Sequence, residues 1–311
     1  MRSKILFLCL LTLGIFGLQA QQINVTGTVI IPTEESRYMA PQFSPDGEKI
    51  LFTEFGYKGL WLYDLKEKSL TQLNDYPGAG YEPVFTADGE RIVFRVDEYR
   101  DNRKYSSLAI QAIGEKKANF MIRNVRRLSP PALLKNRSLV YRKNSEVCVY
   151  NFESKMETQS VTVQGIYGYV ENQKIILIQN GTRQELAPLP SRNYIWFSLS
   201  PDNTKMVFTV VGGDTYVTDI AGNILKVIEK ANAPQWSPDG KWILFMVDED
   251  DGHVITASEI WAYHLEKNRK IQITATEDIH EMYPVWSPRR DQIAYHTDDG
   301  KIMIASVRVE D

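Results

Sequence analysis

One short phrase recurs along the chain and constrains its fold more than any other feature. Five segments share it: PQFSPDGEKILFT (41–53), PVFTADGERIVFR (83–95), FSLSPDNTKMVFT (197–209), PQWSPDGKWILFM (234–246) and PVWSPRRDQIAYH (284–296). Each reads as a short apolar strand, a turn of the Ser-Pro-Asp-Gly type, and a strongly apolar strand. Proline presets one turn position, while Asp and Gly tolerate the remaining turn geometry. The Ser or Thr anchors stand at 44, 86, 200, 237 and 287. Two weaker copies fill the gap between 86 and 200: one at 131–143 with Lys135-Asn136 in the turn, one at 168–179 with Asn172. Seven anchors spaced by about 40 residues match the period of a β-propeller blade, roughly 40–45 residues.

Each full unit holds four strand-like runs, which in the first are PQFS, KILFTEF, GLWLYDL and LTQLN. The second run is apolar on both faces, as a sheet covered on either side requires. Helical periodicity is nearly absent, and a β-sandwich would need five coincidental copies of one turn. The expected fold is therefore all-β, a β-propeller of four-stranded blades. The seventh copy stops one strand short, while the run INVTGTVII (23–31) stands alone before the first blade. Placed in the gap, that N-terminal strand closes the ring and removes an exposed edge. The count favours seven blades. The spacing from Asn172 to Ser200 is only 28 residues, with Asn180-Gly181 as a tight hairpin, and makes six the alternative.

The repeat resembles the TolB-like, WD-related propeller repeat, found also in the propellers of dipeptidyl-peptidase-type enzymes. The resemblance covers nearly all of 41–311, is strongest at both ends, and is weakest over 119–192. The stretch 250–299 resembles exported TolB-like propellers of Bacteroidetes. TolB carries an α/β domain before its propeller; here the first repeat starts about 20 residues after the expected cleavage point, so no such domain is expected. The resemblance concerns the propeller and does not by itself imply the role of TolB.

The compartment is read from the start of the chain. Arg2 and Lys4 precede 14 apolar residues (5–18), and Leu18-Gln19-Ala20 has the small residue of a cleavage site. This pattern predicts a signal peptide over 1–20 and a single propeller domain over 21–311, exported to the periplasm or beyond. The apolar run is short for a membrane span, and no later segment is apolar for long enough to cross a membrane. Cys9 leaves with the signal, and Cys148 alone cannot form an internal disulfide. Thirty-six basic against thirty-nine acidic residues give a net charge of −3, which offers no footprint for nucleic-acid binding.

Propeller topology places the Ser-Pro-Asp-Gly turns on one face. The links between second and third strands, and the approaches to the inner strands, lie on the other, here the top. Two long insertions, 96–107 and 247–259, fall at the top of the second and sixth repeats. Repeats six, seven, one and two adjoin across the ring closure, so their groups crowd one sector. The expected binding residues are Tyr38, Tyr81, Glu82, Asp97, Arg100, Asp251, His253, His280, Glu281 and Tyr283. Aromatic and Arg residues would anchor a partner, while acidic groups select a basic or polar one.

No GxSxG elbow, HExxH, CxxC pair, P-loop or dinucleotide fingerprint occurs. No catalytic residue is assigned, and no cofactor is expected. The run 248–251 is read as a solvated acidic loop, with a divalent cation as the sharper alternative. His253 and His280 with Glu82, Asp251 and Glu281 form the alternative transition-metal set. The expected function is non-catalytic binding of an envelope or periplasmic protein. The alternatives are a metal-dependent propeller enzyme acting on a glycan, of the polysaccharide-lyase kind, and a small-molecule or sugar sensor.

Overall fold

The computed structural model describes residues 23–31, 36–135, 137–159, 165–289 and 291–309. Every regular element among them is a β-strand. The strands form seven antiparallel sheets, the blades of a propeller, six of them with four strands. Blade 4 has three (Ile166–Glu171, Lys174–Gln179 and Thr182–Leu186), and these match the weak copy around Asn172. Its tight hairpin at Asn180-Gly181 has φ of 48° and 80°, the left-handed pair expected of a two-residue turn. The count is seven, and the six-bladed alternative falls away.

The run at the N-terminus does close the ring. Strand Ile23–Ile30 pairs antiparallel with Ile302–Val309 and forms the outer edge of blade 7, whose inner strand is Glu281–Trp286. The first and last strands of the chain thus share one blade, and blades 1 and 7 pack as neighbours. The segment read as a signal peptide lies outside the described residues. No helix among those described is long and apolar enough to cross a membrane.

The core is a series of seams between blades. In blade 1, Ile50 and Phe52 face Ala294, Ile302 and Ile304 of blade 7, whereas Leu51 lies with Ile92 and Phe94 of blade 2. Successive residues point to opposite faces of a strand, so a strand covered on both sides must be apolar without alternation. Burying each such side chain fully contributes roughly 1.5–3 kcal/mol. Trp61, Trp236, Trp242, Trp261 and Trp286 all belong to these seams.

The repeated turn is a hydrogen-bond device. Ser44 Oγ donates to Asp46 Oδ1 at 2.5 Å and accepts from Lys49 N at 2.9 Å, while Asp46 Oδ1 also accepts from Glu48 N. Thr86 with Asp88, Ser200 with Asp202 and Ser237 with Asp239 repeat the set. The Ser200 hydroxyl holds the Asp202 carboxyl well below the usual carboxylate range. In blade 7, where Arg289-Arg290 replaces Asp-Gly in sequence, Ser287 Oγ reaches Asp291 instead, at 3.1 Å.

The two insertions differ from the expected loops. They are extensions of the second and third strands: Arg91–Arg100 with Arg103–Ala112, and Trp242–Asp250 with Ile255–His264. The first arm turns at Asp101 and Asn102, both left-handed at φ 49° and 56°. Asp and Asn tolerate that conformation, so pairing continues to the tip.

The turn device predicts a specific loss. Ser237 is fully buried and serves both Trp242 N at 2.9 Å and Asp239 at 2.6 Å. Ser237→Ala leaves a buried amide without its acceptor and should cost about 1–3 kcal/mol of unfolding free energy. Urea denaturation with an unchanged m-value would show it.

Candidate functional site, the mouth of the channel

The inner strands share a kink. Ala40, Glu82, Ala233 and Tyr283 each precede a proline, and Trp196 takes the same place in blade 5; all have φ between 48° and 54°. In blades 1, 5, 6 and 7 the register with the second strand breaks at this point. A bulge of this kind re-aims a side chain, and left-handed non-glycine residues concentrate at ligand sites.

The kinked positions meet across the channel. Trp196 of blade 5 packs edge-on against Tyr283 of blade 7, with ring centroids 6.3 Å apart. Blade 6 lies between them, and its residue there is the small Ala233. Contact between two blades that are not neighbours requires both rings to lean over the channel mouth. Tyr283 also stacks on His296, at 5.4 Å and 11°.

Blades 1 and 2 continue the rim. Tyr57, in the turn after the second strand of blade 1, packs edge-on against Tyr81 at 5.1 Å. Arg95 lies over the Tyr81 ring, its Cζ 5.1 Å from the centroid. Glu82 is exposed to the channel, yet its protein surroundings raise its carboxyl above the ordinary value; nearby Arg95 opposes that shift. Asp248 at the base of the blade 6 arm accepts from Asn232 Nδ2 at 2.7 Å and adds to the burial that raises the Tyr283 phenol. The rim is thus aromatic and acidic, held on rigid strands.

The ten expected residues divide. Glu82 and Tyr283 are exposed at the mouth, and Tyr81 is half-buried beside them. Arg100, Asp251 and His253 are exposed on the two arms. Arg100 is held by Glu98 and by Asn124 at 2.8 Å, and Asp251 is spent on its own turn, accepting from His253 N and Val254 N at 2.9 Å. His280 is half-buried, its Nδ1 3.3 Å from Asp298 Oδ2. Tyr38, Asp97 and Glu281 are buried, so their side chains are not presented to a partner at this face. Tyr38 packs edge-on between Phe52 and Trp61. Asp97 is enclosed by Arg95, Lys104 and Ser106. Counting residues before a strand places a side chain at the top; it does not say whether the side chain turns inward.

Trp196, Tyr57, Arg95 and His296 complete the mouth and were not among the expected residues. Trp196 had a signal, since it aligns with the residues before proline in the other repeats. His296 had none; it reads as a blade residue and is indeed 5% exposed, but its ring backs Tyr283. Among the described residues no three His, Cys, Asp or Glu side chains converge as a metal cluster.

A seven-bladed ring of Ser-Pro-Asp-Gly turns invites comparison. The chain is similar to TolB. It is 31% identical over 87 residues to the Tol-Pal system protein TolB of Anaeromyxobacter sp. (strain K), covering 27% of this chain and 20% of that protein. The match to TolB of Anaeromyxobacter dehalogenans has the same extent. The chain therefore spans about a fifth of the length of these curated relatives. Among solved structures, TolB from Acinetobacter baumannii aligns with a TM-score of 0.52 at 13% identity, over 83% of this chain and 59% of that one. An oligogalacturonate lyase in complex with manganese aligns with a TM-score of 0.64 at 12% identity, over 93% and 96%. At such identities the structural likenesses establish the propeller fold alone. No family model matches the chain.

His296 gives the site a pH signature. Burial lowers its pKa from the ordinary 6.5 to about 4. The folded protein then binds fewer protons than the unfolded chain below pH 6.5, so stability falls as pH drops from 6.5 towards 4. Imidazole NMR should show a histidine still neutral at about pH 5, and His296→Phe should flatten that part of the stability profile.

Proposed function

We propose that this protein is an exported, non-catalytic TolB-like propeller that binds a protein of the cell envelope at the channel mouth. The observation that carries the reading is the Trp196–Tyr283 contact over Ala233, which sets two aromatic rings in the mouth, on the same rim as Tyr57, Tyr81 and Glu82. Rigid aromatic residues around an opening are the side chains that dominate binding energy in interfaces. The arms of blades 2 and 6 extend the contact surface, with Arg100, Asp251 and His253 exposed along them. The relatives named for the Tol-Pal system support a protein partner, and the residues at 1–20 support export.

A second reading draws on the same rings. Aromatic faces beside a carboxyl also suit a sugar, and the propeller of the oligogalacturonate lyase covers almost the whole of both chains. Glycan binding or cleavage is therefore the competing function.

One experiment separates the two. Wild-type protein and a Glu82→Ala/Trp196→Ala/Tyr283→Ala variant, matched for thermal stability, are used as bait in envelope extract. A protein retained by the wild type and depleted at least about tenfold with the variant supports the binding reading. Equal background from both baits, together with a rise in melting temperature or release of unsaturated product on adding oligogalacturonate, supports the glycan reading.

A further inference from the structure

The strand that carries Tyr283 into the mouth begins with a buried acid. Glu281 is 2% exposed, at the seam between blades 6 and 7. Its carbonyl accepts from Ser258 Oγ of blade 6 at 2.6 Å, which ties the two blades together. Its side-chain Oε2 is buried without a hydrogen-bond partner. Its Oε1 lies 2.9 Å from Thr276 Oγ1, and the same hydroxyl lies 2.9 Å from the carbonyl of Ile279.

Thr276 has one hydroxyl proton and two acceptors. With Glu281 ionised, that proton must leave either the carboxylate or the Ile279 carbonyl without it, and Oε2 is a bare buried charge as well. With Glu281 protonated on Oε1, the carboxyl donates to Thr276 Oγ1, and Thr276 donates to Ile279. Every distance is then satisfied, and the orphan Oε2 is only a neutral carbonyl oxygen, far less costly to bury.

The surrounding charges favour the same state. Glu259 of blade 6 is held by Thr274 Oγ1 at 2.7 Å and Thr276 N at 2.8 Å, so a second carboxyl is fixed on the same loop. Asp298, in the turn after the second strand of blade 7, is a third, with His280 Nδ1 3.3 Å from it and Arg37 bound to its carbonyl. Tyr295 of blade 7 stands beside Glu281, and Glu277 and Asp278 are exposed on the loop itself.

We propose that Glu281 is a proton-operated latch: protonated, it fastens the loop 273–280 across the seam between blades 6 and 7, and ionised, it releases that loop. Burial raises its pKa to about 7, with Glu259 and Asp298 adding to the shift. A folded-state value above the unfolded 4.5 means that the stabilisation is complete below that value and is lost as pH rises towards 7. The latch operates on the free protein. Any pH dependence it confers on partner capture, through His280 and Tyr283, rests on the binding reading above.

The test is amide hydrogen exchange of residues 274–280 in the free protein, corrected for intrinsic rates, between about pH 5.5 and 8. In the wild type, protection of the loop should fall at least fivefold across this range. In Glu281→Gln, which keeps the shape of the neutral acid, protection should stay constant. Thr276→Val provides an independent check should Glu281→Gln fold poorly. It removes the hydroxyl that accepts from the protonated carboxyl, so the loop should lose its extra protection at low pH and with it the pH dependence. A wild-type loop with pH-independent protection, a Glu281→Gln loop that opens like the wild type, or a Thr276→Val loop that keeps the wild-type pH dependence would each overturn the latch. None of these readouts involves a partner, so failure of the binding reading leaves the latch standing.

Discussion

Seven blades hold together only because the last one is built from both ends of the chain. Strand Ile23–Ile30 lies along Ile302–Val309, with a bulge between Val25 and Gly27. Without that ladder, blade 7 would end on the unpaired edge of Ile302–Val309, and the seam between blades 7 and 1 would be held only by its apolar packing and a few bonds such as Tyr38 N to Gly300 O at 2.9 Å and Arg289 to Glu48 at 2.7 Å. The seam includes Ile50 and Phe52 against Ala294, Ile302 and Ile304, all at most 4% exposed. Opening the ring would hydrate it. Closure therefore converts a stack of marginal sheets into one cooperative body, and the channel mouth is the consequence.

The mouth is made by the backbone before it is made by side chains. A left-handed residue stands ahead of proline in four blades and interrupts the inner strand in blades 1, 6 and 7, and Trp196 repeats the interruption in blade 5. The same kink presents Ala at 40 and 233, Glu at 82, Trp at 196 and Tyr at 283. Function can thus vary at these positions while the seams behind them stay fixed. Ala233 illustrates the point, since its small size lets rings from blades 5 and 7 meet over it. Blade 7 also buries Glu281 and His296, and burial pushes one pKa up and the other down. Desolvation favours the neutral form of an acid and of a base alike.

Much of this was legible in residue order. The turn phrase marked five blades, and the weak copies at 131–143 and 168–179 fell on blades 3 and 4. Asn180-Gly181 gave its hairpin, and the isolated run at 23–31 gave the closing strand. Among the expected site residues, Tyr81, Glu82 and Tyr283 meet at the mouth because they sit at the kink or beside it. Tyr38 and Glu281 occupy similar positions at the start of inner strands, yet they turn into seams. Asp97 lies within the blade 2 arm and is consumed by Arg95 and Lys104. The arms were read as loops because charged runs usually are, but the left-handed Asp101-Asn102 turn extends the pairing.

The sequence by itself determined the blade, the period, the turn chemistry and the closing strand, because each depends on residues within about one repeat length of each other or on an unpaired edge needing a partner. Only the tertiary structure decided which top-face residues reach the channel and which are buried. That choice depends on the rotation of each inner strand and on the size of residues two blades away. The contact of Trp196 with Tyr283 joins positions separated by a whole blade. The double demand on the Thr276 hydroxyl arises only when the loop folds back over the seam. Local sequence sets turns and strands through short-range hydrogen bonds and alternation, whereas the mouth and the latch are set by packing between elements far apart in the chain.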